Sequence, residues 1–199
     1  MESYKVMESF YSIQGEGYHT GKPAFFIRLA GCDIGCSWCD VKESWDEQNS
    51  TIRTVESLVT EAQNNSAERV IITGGEPTMY NLTALTNALQ KAGIKTHLET
   101  SGAYTITGSW DWVCVSPKKF KTPLIEELNK ANELKVVVVN NSDLKWAEAH
   151  SNSVLPSCKL FLQPEWDKTD SVMARINNYV MEHPQWRISL QTHKYMNVR

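Results

Sequence analysis

The sequence predicts an α/β fold built on a mainly parallel sheet, and three observations carry that prediction. Short apolar runs rich in β-branched and aromatic residues alternate with stretches of helical periodicity, the pattern of strands joined by crossover helices. With 199 residues, 41% of them hydrophobic, the chain can bury one sizeable core. Nearly every apolar run exits into residues able to bind a ligand, and in parallel α/β sheets the site lies beyond the carboxyl ends of the strands. One domain spanning 1–199 is expected, with neither an internal repeat nor a low-complexity segment.

Taken in order, strands are expected at 6–12, 25–30, 69–73, 95–99, 112–115, 134–139, 159–162 and 187–190. Between them, Val55, Leu58, Val59 and Ala62 fall at i, i+3, i+4 and i+7 behind Thr54, a good N-cap residue. Leu82, Leu85 and Leu89 repeat the pattern after Asn81, and Gly93 marks its stop. Thr122-Pro123 reads as N-cap and first-turn proline for a helix over 124–131. Two more helices are expected at 142–150 and 171–182, the second carrying Val172, Ile176, Tyr179 and Val180.

The polar residues fall at the strand exits. Strand 69–73 runs into Gly74-Gly75-Glu76-Pro77, strand 95–99 ends on Glu99, and strand 112–115 leads to Ser116-Pro117-Lys118. Strand 159–162 leads to Gln163-Pro164-Glu165-Trp166, and strand 187–190 to Gln191-Thr192-His193-Lys194. Turn chemistry explains Gly, Pro and Asn at such places, but Glu99, Lys118, Gln163 and His193 are not turn formers. The glycines at 74 and 75 would let a ligand approach the backbone directly. Glu99 could accept ribose hydroxyls, while Ser116 and Lys118, two apart on one side of an extended segment, suit a carboxylate.

A net charge of −3 gives no basic field for nucleic acid or an anionic membrane, so a small soluble substrate is expected. The N-terminus lacks the apolar core of a signal peptide, and no run approaches the roughly 18 apolar residues that span a bilayer, which points to the cytoplasm. Five cysteines, an odd number with three clustered, argue for a reducing compartment over a disulfide framework.

The three clustered cysteines, Cys32, Cys36 and Cys39, can be aimed by one loop at a single soft metal centre. A structural zinc site closes with four protein ligands, and no fourth Cys or His lies nearby in sequence. A [4Fe–4S] cluster takes one ligand per iron, so three cysteines would leave one iron open. A zinc knuckle or a plain electron carrier stays the alternative at this point.

The spacing Cys-x3-Cys-x2-Cys with Trp38 before the last cysteine resembles the signature of radical S-adenosylmethionine (SAM) enzymes. That resemblance implies a shortened, open parallel β/α barrel, a partial TIM barrel, with the cluster at its carboxyl mouth. It implies that the open iron chelates SAM and that an electron from the cluster splits the sulfonium. The chain also looks like the 7-carboxy-7-deazaguanine synthase family of queuosine biosynthesis, which works on 6-carboxy-5,6,7,8-tetrahydropterin. The Gln14-Gly15-Glu16-Gly17, Gly74-Gly75-Glu76-Pro77, Ser116-Pro117-Lys118 and Gln191-Thr192-His193-Lys194 motifs carry this, in the family's order over nearly the whole chain.

By that resemblance the SAM set is Trp38, Cys39, Asp40, Gly75, Glu99, Ser116, Pro117, Lys118 and the segment Gln163, Pro164, Glu165 and Trp166. The substrate set is Ile13, Gln14, Gly15, Glu16, Arg28, Thr73 and the end residue Arg199. A pterin edge of donors and acceptors suits the loop 13–16, and a carboxylate suits Arg28. Glu16 and His193 are candidate catalytic bases. Val41 stands where the family has a Thr or Ser whose hydroxyl ligates Mg²⁺, so Mg²⁺ is either held by substrate, water and Asp40 or dispensable. A homodimer and an electron donor of flavodoxin or ferredoxin type are further implications. An activase that installs a glycyl radical shares the cysteine spacing but would not need the Gln14-Gly15-Glu16 loop. The tryptophans other than Trp38 are assigned to core and rim packing. His19, His97, His150 and His183 are assigned to the surface or a satisfied core, and Cys114 and Cys158 to small buried apolar roles.

Overall fold

A computed structural model describes residues 2–199. Nine strands form one sheet: β1 (Ser3–Ile13), β2 (Pro23–Leu29), β3 (Thr51–Thr54), β4 (Arg69–Gly74), β5 (Lys95–Thr100), β6 (Trp112–Val115), β7 (Glu133–Val138), β8 (Lys159–Pro164) and β9 (Trp186–Ile188). Their order is β3-β1-β2-β4-β5-β6-β7-β8-β9, so the sheet curls without closing. From β2 through β4 to β9 every neighbouring pair is parallel. Only β1, antiparallel to both β2 and β3, departs from the expected parallel pattern. The loop between β1 and β2 is too short for a crossover, so the chain can only turn back.

The helices are α1 (Val55–Asn64), α2 (Thr83–Lys91), α3 (Ile125–Leu128), α4 (Ser142–Ser151), α5 (Thr169–Glu182) and α6 (Thr192–Met196). Thr54 caps α1 as expected, its Oγ1 accepting from the Ser57 N–H at 3.2 Å. Leu58, Leu85 and Leu89 are fully buried, each burial contributing about 2 kcal/mol. Two expectations fail. Thr122-Pro123 does not open a helix: Leu124 is extended, its N–H tied to Gly102 O at 2.9 Å, so α3 begins only at Ile125. The strand β3 was not anticipated: it is short, pairs on one side only, and exposes Ile52 to 74%, so it lacks an apolar signature.

Alternation along the strands divides the molecule into two faces. Ile72, Leu98, Val115, Leu134, Val136 and Leu162 belong to the apolar core on the helix side. The residues between them, among them Thr73, Glu99, Ser116, Lys135 and Gln163, line a hollow on the concave side. Cys114 and Cys158 are buried free thiols, as their sequence context suggested. Among the described residues no helix is long and apolar enough to cross a membrane.

The segment after β1 reaches across to the starts of β6 and β7 and to the residue after β9. Gly17 N–H donates to Ser189 Oγ at 2.9 Å, Tyr18 N–H donates to Glu133 Oε2 at 3.2 Å, and Tyr18 stacks on Trp112 at 4.9 Å. His19 packs edge-on to Trp112 at 4.6 Å and lies 4.7 Å from His97. Both ring nitrogens of His19 are buried without a partner, so it is neither a surface nor a satisfied histidine. Burial, reinforced by nearby cationic side chains, lowers His19 to about 4; burial and the His19 charge lower His97 to about 3.

Candidate active site

A cavity of about 460 Å³ opens at the carboxyl ends of the strands. Its walls come from the β1–β2 loop, the cysteine loop, the ends of β4 to β8, and the segment carrying α6. Of the residues assigned above to cluster, cofactor, substrate or catalysis, only Pro117 is missing from this wall. It faces the neighbouring groove of about 240 Å³ behind Trp38.

The cysteine loop leaves β2 and folds against the start of the Gly74-Gly75 turn. Gly31 N–H donates to Ser44 O at 2.7 Å, Gly75 N–H to Leu29 O at 3.0 Å, and Glu76 N–H to Gly31 O at 2.8 Å. A Cβ on Gly75 would lie 2.2 Å from Gly31 O and 2.9 Å from Ser44 O. The missing side chain therefore seats the cysteine loop. Glu76 braces the same corner: its buried carboxylate accepts from Thr78 N and Oγ1, Thr100 Oγ1, and Ser101 N and Oγ, at 2.5–3.1 Å. Cys32, Cys36 and Cys39 gather with Ile34, Trp38 and Ala103 in a small apolar cluster. Burial pushes the Cys36 thiol up to about 11, with the Lys118 charge acting against it, and raises Cys32 as well.

Beside the cysteines, Lys118 Nζ lies 5.0 Å over the Trp38 ring and donates to Ser116 Oγ at 2.6 Å. Burial lowers the Lys118 pKa. Gln163 is buried, its Oε1 accepting from Ser189 Oγ at 2.7 Å, and Glu165 Oε1 caps the following turn through Asp167 N–H at 3.2 Å. Trp166 is rim, not core: it is 38% exposed, stands edge-on to Tyr195 at 5.3 Å, and carries Lys194 Nζ 4.7 Å over its ring.

The other end of the cavity is built by the β1–β2 loop against α6. Thr192 N–H and Oγ1 both donate to Gly15 O, at 2.9 and 3.0 Å. A Cβ on Gly15 would lie 2.2 Å from His193 Nδ1, so only glycine lets the ring sit there. Gln14 Oε1 accepts from Glu16 N–H at 3.1 Å, and its Nε2 donates to Glu99 Oε1 at 3.3 Å. Glu16 Oε2 meets Lys135 Nζ at 2.7 Å, and its Oε1 accepts from Gln191 Nε2 at 3.0 Å. Burial alone would raise Glu16, but the Lys135 charge and these hydrogen bonds outweigh it and hold the carboxyl at about 2. Burial lowers His193, with Glu16 pulling the other way.

Arg28 does not stand alone. Its Nε pairs with Glu8 Oε1 at 2.8 Å, and the other Glu8 oxygen pairs with the Arg199 guanidinium, which lies 4.9 Å over Phe10. Arg199 O accepts from Ser12 Oγ at 2.6 Å. Asp40 Oδ2 is approached by Gln191 Nε2 at 3.2 Å and Lys194 Nζ at 3.3 Å, beside Val41 in the cavity wall.

The Radical SAM superfamily signature matches residues 26–116, from β2 to the end of β6. A 7-carboxy-7-deazaguanine synthase of Flavobacterium psychrophilum is 48% identical over 99% of this chain and 93% of its own length. One from Synechocystis sp. is 47% identical over 99% and 94%, respectively. The crystal structure of QueE from Escherichia coli superposes with a TM-score of 0.84 at 32% identity, covering 94% of this chain and 93% of that one. The chain belongs to the 7-carboxy-7-deazaguanine synthase family. With it comes the family's α/β architecture, here an open sheet.

A 7-carboxy-7-deazaguanine synthase of this superfamily implies a [4Fe–4S] cluster and SAM, and the donor set fits them. The three thiols are soft ligands in an apolar, partly enclosed loop. Among the described residues no three His, Cys, Asp or Glu side chains converge as tightly as one metal ion demands. A cluster instead distributes its thiolates over separate irons. Thiols raised by burial become thiolates when a metal binds them.

Among the charged residues of the wall, Glu8 and Lys135 were not singled out in the sequence, and the contact of Gln191 with Glu16 was not foreseen. Lys135 alone left a signal, a charged side chain inside the apolar run Leu134–Val138, which a core strand does not otherwise tolerate.

Proposed function

We propose that this chain is one catalytic domain that converts 6-carboxy-5,6,7,8-tetrahydropterin to 7-carboxy-7-deazaguanine with loss of ammonia, in queuosine biosynthesis. The observation that carries this is a single cavity with a thiol loop at one end and the Gln14, Glu16 and Arg28 polar set at the other. The relatives' name supplies the product. The cluster and SAM, when bound, supply the radical chemistry that removes hydrogen from the substrate.

This chain's residues bind, orient and hold charge. Ser116 Oγ and Lys118 Nζ, already paired, present a hydroxyl and an ammonium to the cofactor carboxylate. Trp38, Gly75, Glu99 and the Gln163–Trp166 segment complete that end. The pterin edge lies against Ile13, Gln14, Gly15 and Glu16, with Thr73 facing it from β4. Glu8 holds the Nε edge of Arg28, which leaves the terminal amino groups for a substrate carboxylate. Arg199 engages Glu8, so it supports Arg28 from behind.

Glu16, held at about 2, is an acceptor for ring N–H groups and a weak base near neutral pH. His193, lowered by burial, is neutral there and is the better proton acceptor of the two. Mg²⁺, with Val41 offering no oxygen, is held by substrate, water and Asp40, and its effect on rate is weaker than a hydroxyl ligand would give. The enzyme works in the cytoplasm as a homodimer, fed by a flavodoxin- or ferredoxin-type donor.

The test is an anaerobic incubation of the iron-loaded protein with the tetrahydropterin, SAM and a reductant, read by product mass. The expected result is 7-carboxy-7-deazaguanine from protein carrying about four irons per chain. Deoxyadenosine without a pterin-derived product would point to a different radical substrate and overturn the assignment.

A further inference from the structure

We propose that Lys135 is a positioning residue that ties the substrate end of the cavity to its cofactor end and sets how the two ligands meet. The inference deepens the function proposed above and rests on it. Lys135 stands in the middle of β7, points into the hollow, and is 4% exposed. Its Nζ pairs with Glu16 Oε2 at 2.7 Å and with Glu99 Oε2 at 2.9 Å. Glu16 belongs to the loop assigned to the pterin; Glu99 ends β5 on the wall assigned to the cofactor. The pairing to Glu99 steps over β6, since β5 and β7 are not neighbours in the sheet. Gln14 Nε2 to Glu99 Oε1 makes a second, longer bridge between the same two walls.

Stability alone is a poor account of this arrangement. A buried ammonium with two carboxylates loses much hydration, and an apolar replacement of a whole buried ion pair is often neutral or better. What the arrangement secures is orientation. One oxygen of each carboxylate is spent on Lys135, which fixes both planes. Burial would lower Lys135, but Cys114, Glu16, Glu99 and Glu133 around it raise it well above its ordinary range, and Lys135 in turn helps hold Glu16 low. Without the ammonium, the two part-buried carboxylates would face each other with no cation between them to fix their orientation.

The experiment compares iron-loaded wild type with Lys135→Met, Lys135→Arg and Lys135→Gln, the last keeping a donor without the charge. Pterin affinity is measured by calorimetry without reductant, and the ratio of product to released 5′-deoxyadenosine is measured under turnover. Expected for Lys135→Met and for Lys135→Gln are pterin binding weakened at least about tenfold and product formation reduced about a hundredfold, as a misplaced substrate gives. Deoxyadenosine release persists in both, so the ratio collapses, and Lys135→Arg recovers part of it. Should Lys135→Met fail to fold, Lys135→Gln carries the test alone. Wild-type pterin affinity and product ratio in Lys135→Gln would overturn the proposal, as would product and deoxyadenosine falling together in step with iron content. Wild type that makes no product from the pterin fails the functional assignment instead, and is read from the control.

Discussion

Glu76 shows how much a single side chain can do at a strand exit. It accepts five hydrogen bonds from three residues on two loops while 2% exposed. Glu76→Gln puts an amide N–H₂ where only donors point, and is expected to cost about 3 kcal/mol in denaturant unfolding. Val41→Thr acts on chemistry instead: it should make activity Mg²⁺-dependent by roughly tenfold, about 1.4 kcal/mol for one added ligand, checked by assays with chelator and with Mg²⁺. At this scale the sequence was most legible for position: the cysteines, Ser116, Lys118 and Arg28, polar or soft groups at strand exits, all reach one cavity wall. It was silent on Glu8 and on what Lys135 meets, because Lys135's partners lie 119 and 36 residues away. The packing of Gly75 against Gly31 O was not legible, since only the fold brings that carbonyl beneath it.

Among the elements, the cysteine loop depends on the turn it rests on. Gly75→Ala must push Gly31 and Ser44 apart, so the prediction is lower iron content per chain after reconstitution, while α1 and the core keep their stability. Thr54→Ala, far from the cavity, removes the cap of α1 and should lower stability by about 1 kcal/mol with iron content unchanged. Helices with a clear apolar period, such as α1, α2 and α5, were readable from sequence, α1 with its Thr54 cap as well. α3 was overcalled because the Thr122-Pro123 signal carries no information about Gly102, which holds the chain extended there. β3 and α6 were missed for the opposite reason, being short, exposed and without an apolar face.

For the molecule as a whole, the pH dependence of folding reports on the packed loop after β1. His19 and His97, at about 4 and 3, stay neutral in the native state while the unfolded chain takes up protons below about 6.5. Their contribution is complete above 6.5 and lost as pH falls toward 4, because the unfolded state then binds more protons. Glu133, pushed up to about 7 by burial, works in the opposite sense between 4.5 and 7. The prediction therefore concerns a difference: His97→Gln should lose less stability than wild type between pH 7 and pH 5, measured by urea midpoints. The architecture and the location of the site were legible because strand exits concentrate chemistry; the packing of the loop after β1 was not, since His19 looks like any loop histidine. Because the ladder never meets itself between β3 and β9, no hoop of backbone bonds fixes the girth of this bowl. Its curvature is held by ties from the loop after β1, such as Gly17 to Ser189 and Tyr18 on Trp112, so cutting those ties is expected to let the bowl splay with every rung of the sheet intact.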